Sequence, residues 1–425
     1  MNNIKKEVVS GVKWTTIGTI VLAIVALLKL SVLARFLDKA DFGLMALVTF
    51  VMGFMNLFND MGLTSAILHK ANISKKEYAS LYWINIMFSF ILYGILLLAS
   101  PLVASFYNEP ELTVLIPLLG LNLIISAIGR IFKTIESKHL KFKMISIFEI
   151  IAAVCSLCFA VFLAINNYGV YTLVYSALMQ YIIQNLLYFL YGLKKYGLLF
   201  HYNYSETKPF LKIGVYQVGG QVVNYFNRDI DILLIGKFFS SEVLGGYSLA
   251  KQLVFRPAQI LNPIITKVAS PSLSKLQDNI EVLKLNYYKL ISIVAKVNAV
   301  VYIALIIFAP LAVLIFYGEG FNEVVTLVRI LSVYMIFRAI GNPVGSLIIA
   351  TGKTNIEFYW NLLVLIVIPV FVFISSQYTI NCVAWSLNIA SFILFYPAWR
   401  FLIYKIIGGT FKEYLKAIFT LKIKY

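Results

Sequence analysis

Long apolar stretches alternate with short polar segments along almost the whole chain. A helix needs about 20 apolar residues to cross the hydrocarbon core of a bilayer. The suitable stretches are continuously apolar, so they predict helices and not the alternating strands of a barrel. They run approximately over 11–36, 42–68, 78–106, 112–135, 143–165, 170–192, 210–236, 243–268, 287–316, 322–350, 357–376 and 381–404. The pattern predicts an all-α polytopic membrane protein with about twelve transmembrane helices.

The charges between the spans predict the orientation. Lysines gather in the loops that follow even-numbered spans, as at Lys75 with Lys76 and Lys194 with Lys195. The loops on the other side are short and neutral or acidic, as at Glu109. Because basic loops stay on the cytoplasmic side, both termini are expected in the cytoplasm. The regular alternation favours an even number of spans.

The widest polar interruption lies around residues 194–212, between the sixth and seventh spans. It predicts an N-lobe over 1–204 and a C-lobe over 205–425, with six spans each and a short amphipathic tail from Thr410 to Tyr425. A faint repeat at an offset of 202 residues aligns Arg35 with Lys237, each at the outer end of its span. Parallel repeats of this kind are typical of transporters with a substrate site between the halves.

The charge of the chain adds an expectation about function to this predicted fold. The sequence is 60% hydrophobic and 13% charged, yet its formal net charge is +17. A charge at the centre of a bilayer costs roughly 2.5–3.5 kcal/mol on insertion scales. Eight basic residues nevertheless lie inside the predicted spans: Lys29, Arg130, Arg228, Lys251, Arg256, Lys296, Arg329 and Arg338. This number predicts a wet, cationic cavity and an anionic substrate.

The seventh span carries the densest polar patch, with Asn224, Arg228, Asp229 and Asp231. Arg228 and Asp231 lie one turn apart and share a helix face that cannot point at lipid. One interpretation is a cavity wall that contacts a phosphate or a sugar. The alternative is an ion pair that locks two spans together.

The eighth span carries Lys251 and Arg256, both too deep to reach the near interface. Arg256 precedes Pro257, and a proline kinks a span and frees backbone carbonyls. Arg256 is therefore the strongest candidate for a central cationic contact, although an arginine paired with a carboxylate is the alternative. Arg130 and Arg338 are either inner-cavity residues or side chains that extend to the cytoplasmic interface.

Acidic residues inside the spans suggest gating or ion coupling. At the 202-residue offset Lys29 is equivalent to Asp231, so a Lys29–Asp231 pair is expected as an outer gate, beside Asp229. Asp60 in the second span and Glu149 in the fifth are isolated carboxylates. Such a group is either the titrating site of a carrier coupled to H⁺ or Na⁺ or the partner of a cavity cation.

Three other classes of protein fit less well. Multidrug antiporters use carboxylates to attract cationic drugs, whereas here basic residues outnumber acids inside the spans. Membrane polymerases and glycosyltransferases usually have a large catalytic loop outside, and the outer loops here are short. A flippase for the peptidoglycan precursor would differ from a transporter of another anionic substrate only in its cargo. No catalytic residues, cofactor, metal site or nucleic-acid partner is expected from these residues.

Several motifs resemble the Wzx-like polysaccharide-export flippases of the multidrug/oligosaccharidyl-lipid/polysaccharide exporter superfamily. They are Leu33-Ala34-Arg35-Phe36-Leu37, Asp41-Phe42-Gly43-Leu44, Asp60-Met61-Gly62-Leu63, Arg228-Asp229-x-Asp231, Leu244-Gly245 with Tyr247-Ser248-Leu249-Ala250, and Ala350-Thr351-Gly352-Lys353-Thr354-Asn355. Their order covers essentially the whole chain. Two departures leave the subfamily open: many relatives carry two further spans, and their first loop often has proline where this chain has Lys39 or Ala40.

The resemblance implies two six-helix lobes in a V-shaped fold like that of the multidrug exporters, working by alternating access. It implies an undecaprenyl-pyrophosphate-linked oligosaccharide as substrate, moved from the inner to the outer leaflet of the bacterial cell membrane for surface polysaccharide such as O-antigen or exopolysaccharide. The expected partners are this substrate, membrane lipids and other polysaccharide-assembly membrane proteins. The expected pyrophosphate contacts are Lys29, Arg228, Lys251, Arg256, Arg338 and Arg130.

Overall fold

The computed structural model describes residues 2–60, 62–70 and 73–419, without the side chains of 2–8, 65, 69, 212–217, 263–268, 270 and 271. Across these residues the secondary structure is helical and contains no strand. Backbone contacts divide the chain into two compact units, Met1–Tyr225 and Phe226–Tyr425. The all-α prediction is confirmed for the described residues.

The first unit consists of long helices joined by short loops. They are α1 (Asn2–Leu33), α2 (Lys39–Asn59), α3 (Leu63–His69), α4 (Lys75–Tyr107), α5 (Leu112–Lys138), α6 (Phe142–Ile165), α7 (Val170–Tyr196) and the first part of α8 (Tyr204–Phe238). Within this unit α5 packs along both α4 and α7, and α6 packs along α1.

The second unit begins inside α8 and has the same long-helix architecture. Its further helices are α9 (Ser241–Ser274), α10 (Ile280–Ile307), α11 (Ala309–Tyr317), α12 (Asn322–Gly341), α13 (Pro343–Thr351), α14 (Thr354–Ser375), α15 (Ile380–Ala398), α16 (Lys405–Ile407) and α17 (Phe411–Phe419). A π-helical segment, Trp399–Tyr404, joins α15 to α16.

The division between the units falls later than the predicted lobe boundary at 204/205. The first turns of α8 belong to the first unit because Phe210 is buried in its core cluster with Leu63 and Phe132. Tyr225 also donates a hydrogen bond to the Phe50 carbonyl of α2. The polar linker therefore marks where α8 begins, while the packing changes about 20 residues further on.

Ten helical stretches in the described part of the chain are long and apolar enough to cross a membrane. Helices α8 and α9, which match the predicted seventh and eighth spans, are not among these ten. They carry the polar patch with Arg228, Asp229, Asp231, Lys251 and Arg256. Pro257 lies within helix α9, which is continuous from Ser241 to Ser274.

Three predicted spans are broken in the structure. The second span is interrupted between Asn59 and Leu63, where Gly62 has φ +65°, a left-handed conformation that glycine adopts without strain. Met61 lies outside the described residues. The ninth and tenth spans break before α11 and α13, which carry Pro310 and Pro343 at their first turns, where a proline needs no backbone N–H donor.

The amphipathic tail forms α17, but its apolar face is not directed at lipid. Tyr414, Ala417 and Ile418 are buried in a core cluster that also contains Tyr288 and Trp399. The chain reverses before α17 at two glycines with φ of +67° and +88°. The amphipathic tail is thus a docked helix over Phe411–Phe419, and residues 420–425 lie outside the described residues.

Candidate functional site: half-buried cations inside the spans

A buried ion-pair network joins α8 and α9. Lys251 is 8% exposed, and its Nζ lies 2.7 and 2.9 Å from the two carboxylate oxygens of Asp231. The same ammonium lies 3.1 Å from Asp229 Oδ1 and donates to the Arg228 carbonyl at 2.9 Å. Tyr247 donates a hydrogen bond of 2.5 Å to Asp231 Oδ2. Each carboxylate of the patch is therefore paired with Lys251.

The short connection between α8 and α9 explains why these residues meet. Only Phe239 and Ser240 separate the two helices, so positions at similar distances from the turn come level with one another. Asp231 lies seven residues before the end of α8 and Lys251 ten residues after the start of α9, roughly 10 and 15 Å from the turn. Sequence reasoning had placed Lys251 at this depth but did not identify Tyr247 or the pairing.

The geometry is that of the ion-pair alternative for the polar patch. Lys251, expected to contact substrate, is occupied by Asp229 and Asp231. Arg228 is 55% exposed in its side chain and lies with its Nε 2.7 Å from Asp229 Oδ2. Both carboxylate oxygens of Asp231, which was expected to pair with Lys29 as a gate, bond Lys251 within the second unit.

Arg256 and Arg338 differ from Lys251 in having no carboxylate partner among the described residues. Arg256 is half-buried, its Nη1 donates to Gln259 Oε1 at 3.1 Å, and its buried Nε has no hydrogen-bond partner. Arg338 donates to the Tyr334 hydroxyl at 2.6 Å, and its guanidinium lies 5.4 Å from the ring centroid of Phe255. Aromatic rings stabilise such a cation without neutralising its charge.

Lys29 in the first unit is in a similar position. It is half-buried on α1, and its Nζ donates to Ser156 Oγ on α6 at 2.9 Å. Ser156 in turn donates to the Ser176 carbonyl on α7 at 2.6 Å. Within the part of the chain that the structure describes, Lys29 forms no ion pair. Its ammonium is positioned by a neutral hydroxyl, and no carboxylate of the described residues balances its charge.

Arg130 on α5 lies at the break between α2 and α3. It donates one hydrogen bond to the Asn59 carbonyl, at the last residue of α2, and another to Ser126 Oγ at 3.0 Å. The last carbonyls of a helix have no partner within the helix, so the guanidinium caps α2. Two of its five N–H donors are used in this way. The sequence signal that would have located this break is the polar run Asn59-Asp60 followed by Gly62.

The remaining acids of the sequence analysis also have partners. Asp60 Oδ1 accepts a hydrogen bond of 2.6 Å from Thr64 Oγ1 across the break. Glu149 on α6 lies 2.6 Å from Lys133 Nζ on α5 and accepts a longer hydrogen bond from Tyr188. Asp60 is thus bonded to a neutral hydroxyl, whereas Glu149 belongs to an ion pair between two helices.

A family model described as polysaccharide biosynthesis protein matches residues 32–326, which is more than half of the chain. The chain belongs to this family. The matched region contains Arg130, Arg228, Lys251 and Arg256.

Curated proteins named for polysaccharide biosynthesis are similar to this chain over most of its length. The lipopolysaccharide biosynthesis protein WzxC of Escherichia coli (strain K12) is 29% identical over 359 residues, 84% of this chain and 73% of that protein. The teichuronic acid biosynthesis protein TuaB of Bacillus subtilis (strain 168) is 29% identical over 419 residues, 98% of this chain and 86% of that protein.

Solved structures confirm the fold class of this family member. The lipid II flippase MurJ in an inward closed conformation has a TM-score of 0.78 at 15% identity, covering 96% of this chain and 90% of that one. An inward-facing multidrug resistance MATE family transporter of the MOP superfamily has a TM-score of 0.70 at 16% identity, covering 89% and 94%. The chain is therefore an all-α, multi-span membrane protein with the fold of this superfamily.

Proposed function

We propose that this protein is a flippase for an undecaprenyl-pyrophosphate-linked oligosaccharide, which it moves from the cytoplasmic to the outer leaflet during surface polysaccharide biosynthesis. The proposal includes alternating access of the substrate site to the two sides of the bacterial cell membrane. It is supported by membership of the polysaccharide biosynthesis family and by relatives named for lipopolysaccharide and teichuronic acid biosynthesis. Likeness of fold to a lipid II flippase agrees with transport of a lipid-linked sugar.

One observation carries the choice of an anionic substrate. Four half-buried basic side chains inside the spans, Lys29, Arg130, Arg256 and Arg338, form no ion pair with a carboxylate of the described residues. A charge inside a membrane is unfavourable by a few kcal/mol and usually marks a functional pathway. Guanidinium groups bind phosphate oxygens through two parallel hydrogen bonds, so a pyrophosphate is a suitable counter-charge.

We assign Arg256 the leading role among these cations. Its buried Nε lacks a hydrogen-bond partner, and burial of an unsatisfied donor costs about 1–3 kcal/mol. A phosphate oxygen supplies the missing acceptor. Arg338 is held by Tyr334 and Phe255 on the same unit, which leaves further N–H donors for an anion. Lys251 and Arg228 are assigned to the ion-pair network that joins α8 and α9.

Both termini are proposed to be cytoplasmic because the basic loops lie on that side. The proposed partners are the lipid-linked oligosaccharide, membrane lipids and other polysaccharide-assembly membrane proteins. Coupling to H⁺ or Na⁺ is assigned to Asp60, since its carboxylate bonds a neutral hydroxyl, whereas Glu149, Asp229 and Asp231 bond ammonium groups.

The proposal is tested with the protein reconstituted in proteoliposomes that contain a labelled undecaprenyl-pyrophosphate oligosaccharide. We expect translocation by the wild type and a loss of about tenfold or more for Arg256→Ala, because a hydrogen bond to a charged group is worth about 1.5–3 kcal/mol. The matched control is Arg329→Ala, whose Nε bonds only the Ile306 carbonyl and whose side chain is exposed.

Two outcomes would contradict the proposal. One is equal translocation by Arg256→Ala and Arg329→Ala when both fold, as judged by a single peak in gel filtration. The other is transport of a cationic dye by the wild type with no movement of the lipid-linked oligosaccharide, which would identify a multidrug antiporter.

A further inference from the structure

A cavity of about 330 Å³ lies in the first unit, and its lining does not include the cations Lys29, Arg130, Arg256 and Arg338 of the proposed transport site. Its walls come from the start of α4, the end of α5 and the segment that follows α7. In the proposed orientation these ends all lie on the cytoplasmic side. Cavities of about 300–1,000 Å³ are the size of ordinary small-molecule sites.

The cavity changes from polar to apolar along α5. Lys138 and His139 lie at the end of the helix, and Phe132 lies about two turns, roughly 9 Å, further into the unit. Tyr82 faces the same space, and its ring centroid is 5.9 Å from that of Phe132. Both rings belong to a buried core cluster, so the apolar end of the cavity is preformed.

The mouth of the cavity carries uncompensated positive charge. Lys138 Nζ donates to the carbonyls of Ile67 and Lys70 and to no carboxylate of the described residues, which leaves one N–H donor. Lys75 at the first position of α4 forms no ion pair within the described part of the chain. The nearby acid Glu136 is 1% exposed and already paired with Lys195 at 2.7 Å.

Aromatic side chains place this mouth at the level of a membrane interface. Trp83 on α4 donates to the Leu199 carbonyl at 3.0 Å, and Phe200 packs against its ring while remaining 93% exposed. Tryptophan and other aromatic rings concentrate where the hydrocarbon core meets the headgroups. Headgroups and acyl chains both lie at this level of a bilayer, which favours a lipid as the ligand.

We propose that this cavity binds an anionic glycerophospholipid of the cytoplasmic leaflet. The phosphate lies among Lys75, Lys138 and His139, and an acyl chain extends along the apolar wall that Tyr82 and Phe132 contribute. Basic pockets between transmembrane helices on the cytoplasmic side bind lipid headgroups of this charge. The site goes beyond the proposed transport function and shares with it only the orientation of the chain.

The test uses the full-length protein in mild detergent, with bound lipid measured by native mass spectrometry. The probe is dioleoyl phosphatidylglycerol, and dioleoyl phosphatidylcholine is the zwitterionic comparison. We expect preferential binding of phosphatidylglycerol and a loss of roughly tenfold for Lys75→Glu, since each basic residue near an anionic lipid contributes about fivefold in affinity and the substitution also adds a repelling charge.

The matched control is Lys76→Glu, which places the same charge one position away, on an exposed residue that does not line the cavity. Both substitutions put an acid in the first turn of α4, where the helix dipole tolerates it, so both variants should fold. A phosphatidylglycerol with a photoreactive group in its acyl chain should label residues 75–83 and 131–139 in the wild type and lose this label in Lys75→Glu.

Three results would overturn the proposal. The first is equal binding by the two variants, or photolabel spread over all the helices. The second is that inorganic phosphate prevents photolabelling as well as unlabelled phosphatidylglycerol does, which would identify a simple anion site. The third is displacement of phosphatidylglycerol by a lower concentration of undecaprenyl phosphate, which would assign the cavity to the carrier lipid. None of these measurements requires transport, so they are independent of the proposed function.

Discussion

Lys251 on α9 bonds both carboxylate oxygens of Asp231 on α8, at 2.7 and 2.9 Å, with both residues buried. The pair joins α8 to α9, two helices that are connected by only two residues. A lysine that is paired in this way has its charge balanced inside the protein. The chain thus contains two kinds of intramembrane cation, those paired with acids and those bonded only to neutral groups.

Removal of this lysine should destabilise the second unit. Lys251→Met leaves Asp231 without its counter-charge while Asp229 keeps Arg228, and loss of one partner of a buried pair costs about 3–5 kcal/mol. Asp231→Asn should cost less, because Asp229 remains 3.1 Å from the ammonium. Thermal unfolding in detergent measures both variants. Equal melting temperatures for Lys251→Met and the wild type would contradict the ion-pair assignment.

Lys29 should matter for transport through its charge and not through its hydrogen bond. Lys29→Ala is expected to lower translocation of the lipid-linked oligosaccharide by about tenfold, and Lys29→Arg is expected to retain most of it. Ser156→Ala is the matched control, since it removes the hydroxyl that holds the ammonium but keeps the charge. A loss in Ser156→Ala as large as that in Lys29→Ala would indicate a structural role.

Close packing of α5 on α7 should make Gly129 intolerant of a side chain. A Cβ there would lie 2.8 Å from the Cα and carbonyl oxygen of Asn185, which are backbone atoms and cannot move aside. Gly129→Ala should therefore cost about 1–3 kcal/mol of stability. Gly94→Ala on α4 meets nothing within 4 Å and should be neutral or stabilising. Thermal unfolding of both variants under the same conditions measures this difference in stability. Equal melting temperatures for the two variants would contradict the prediction.

The stability contributed by the start of α8 should depend on pH through Glu206. Its hydrogen bond from Ser80 lowers the pKa of the Glu206 carboxyl, and the contact with His201 lowers it further. A folded-state pKa below the unfolded value means that the contribution to stability is present above about pH 4.3 and disappears as the pH falls through the folded-state pKa. The difference in melting temperature between the wild type and Glu206→Gln should therefore persist down to about pH 4.3 and shrink below it, as the pH approaches the folded-state pKa. A constant difference would contradict this.

Continuous apolar length predicted the helices well, because the bilayer requires about 20 such residues for each crossing. It did not predict the interruption of the second span, since Asn59, Asp60 and Gly62 lie within an otherwise apolar run. The carbonyls freed at that break are compensated by Arg130, a residue about 70 positions later. A pattern along one helix does not contain the partner that another helix supplies.

The residues of the candidate site were predicted from the sequence, but which of them form ion pairs with one another was not. Helical spacing placed Arg228 and Asp231 on one face, and depth placed Lys251 near them. It could not decide between substrate and carboxylate as the partner of each cation, because this depends on contacts between helices. Pseudo-symmetry suggested Lys29 as a partner of Asp231 but did not point to Lys251, which the short turn after α8 brings to the same carboxylate.

The docked helix α17 has a practical consequence for expression of this protein. Its residues Tyr414, Ala417 and Ile418 cover part of a cluster that contains Tyr288 and Trp399. Truncation before Phe411 would therefore uncover aromatic surface that invites aggregation. A shortened version of the chain that purifies poorly would report this exposed patch and not a defect in membrane insertion.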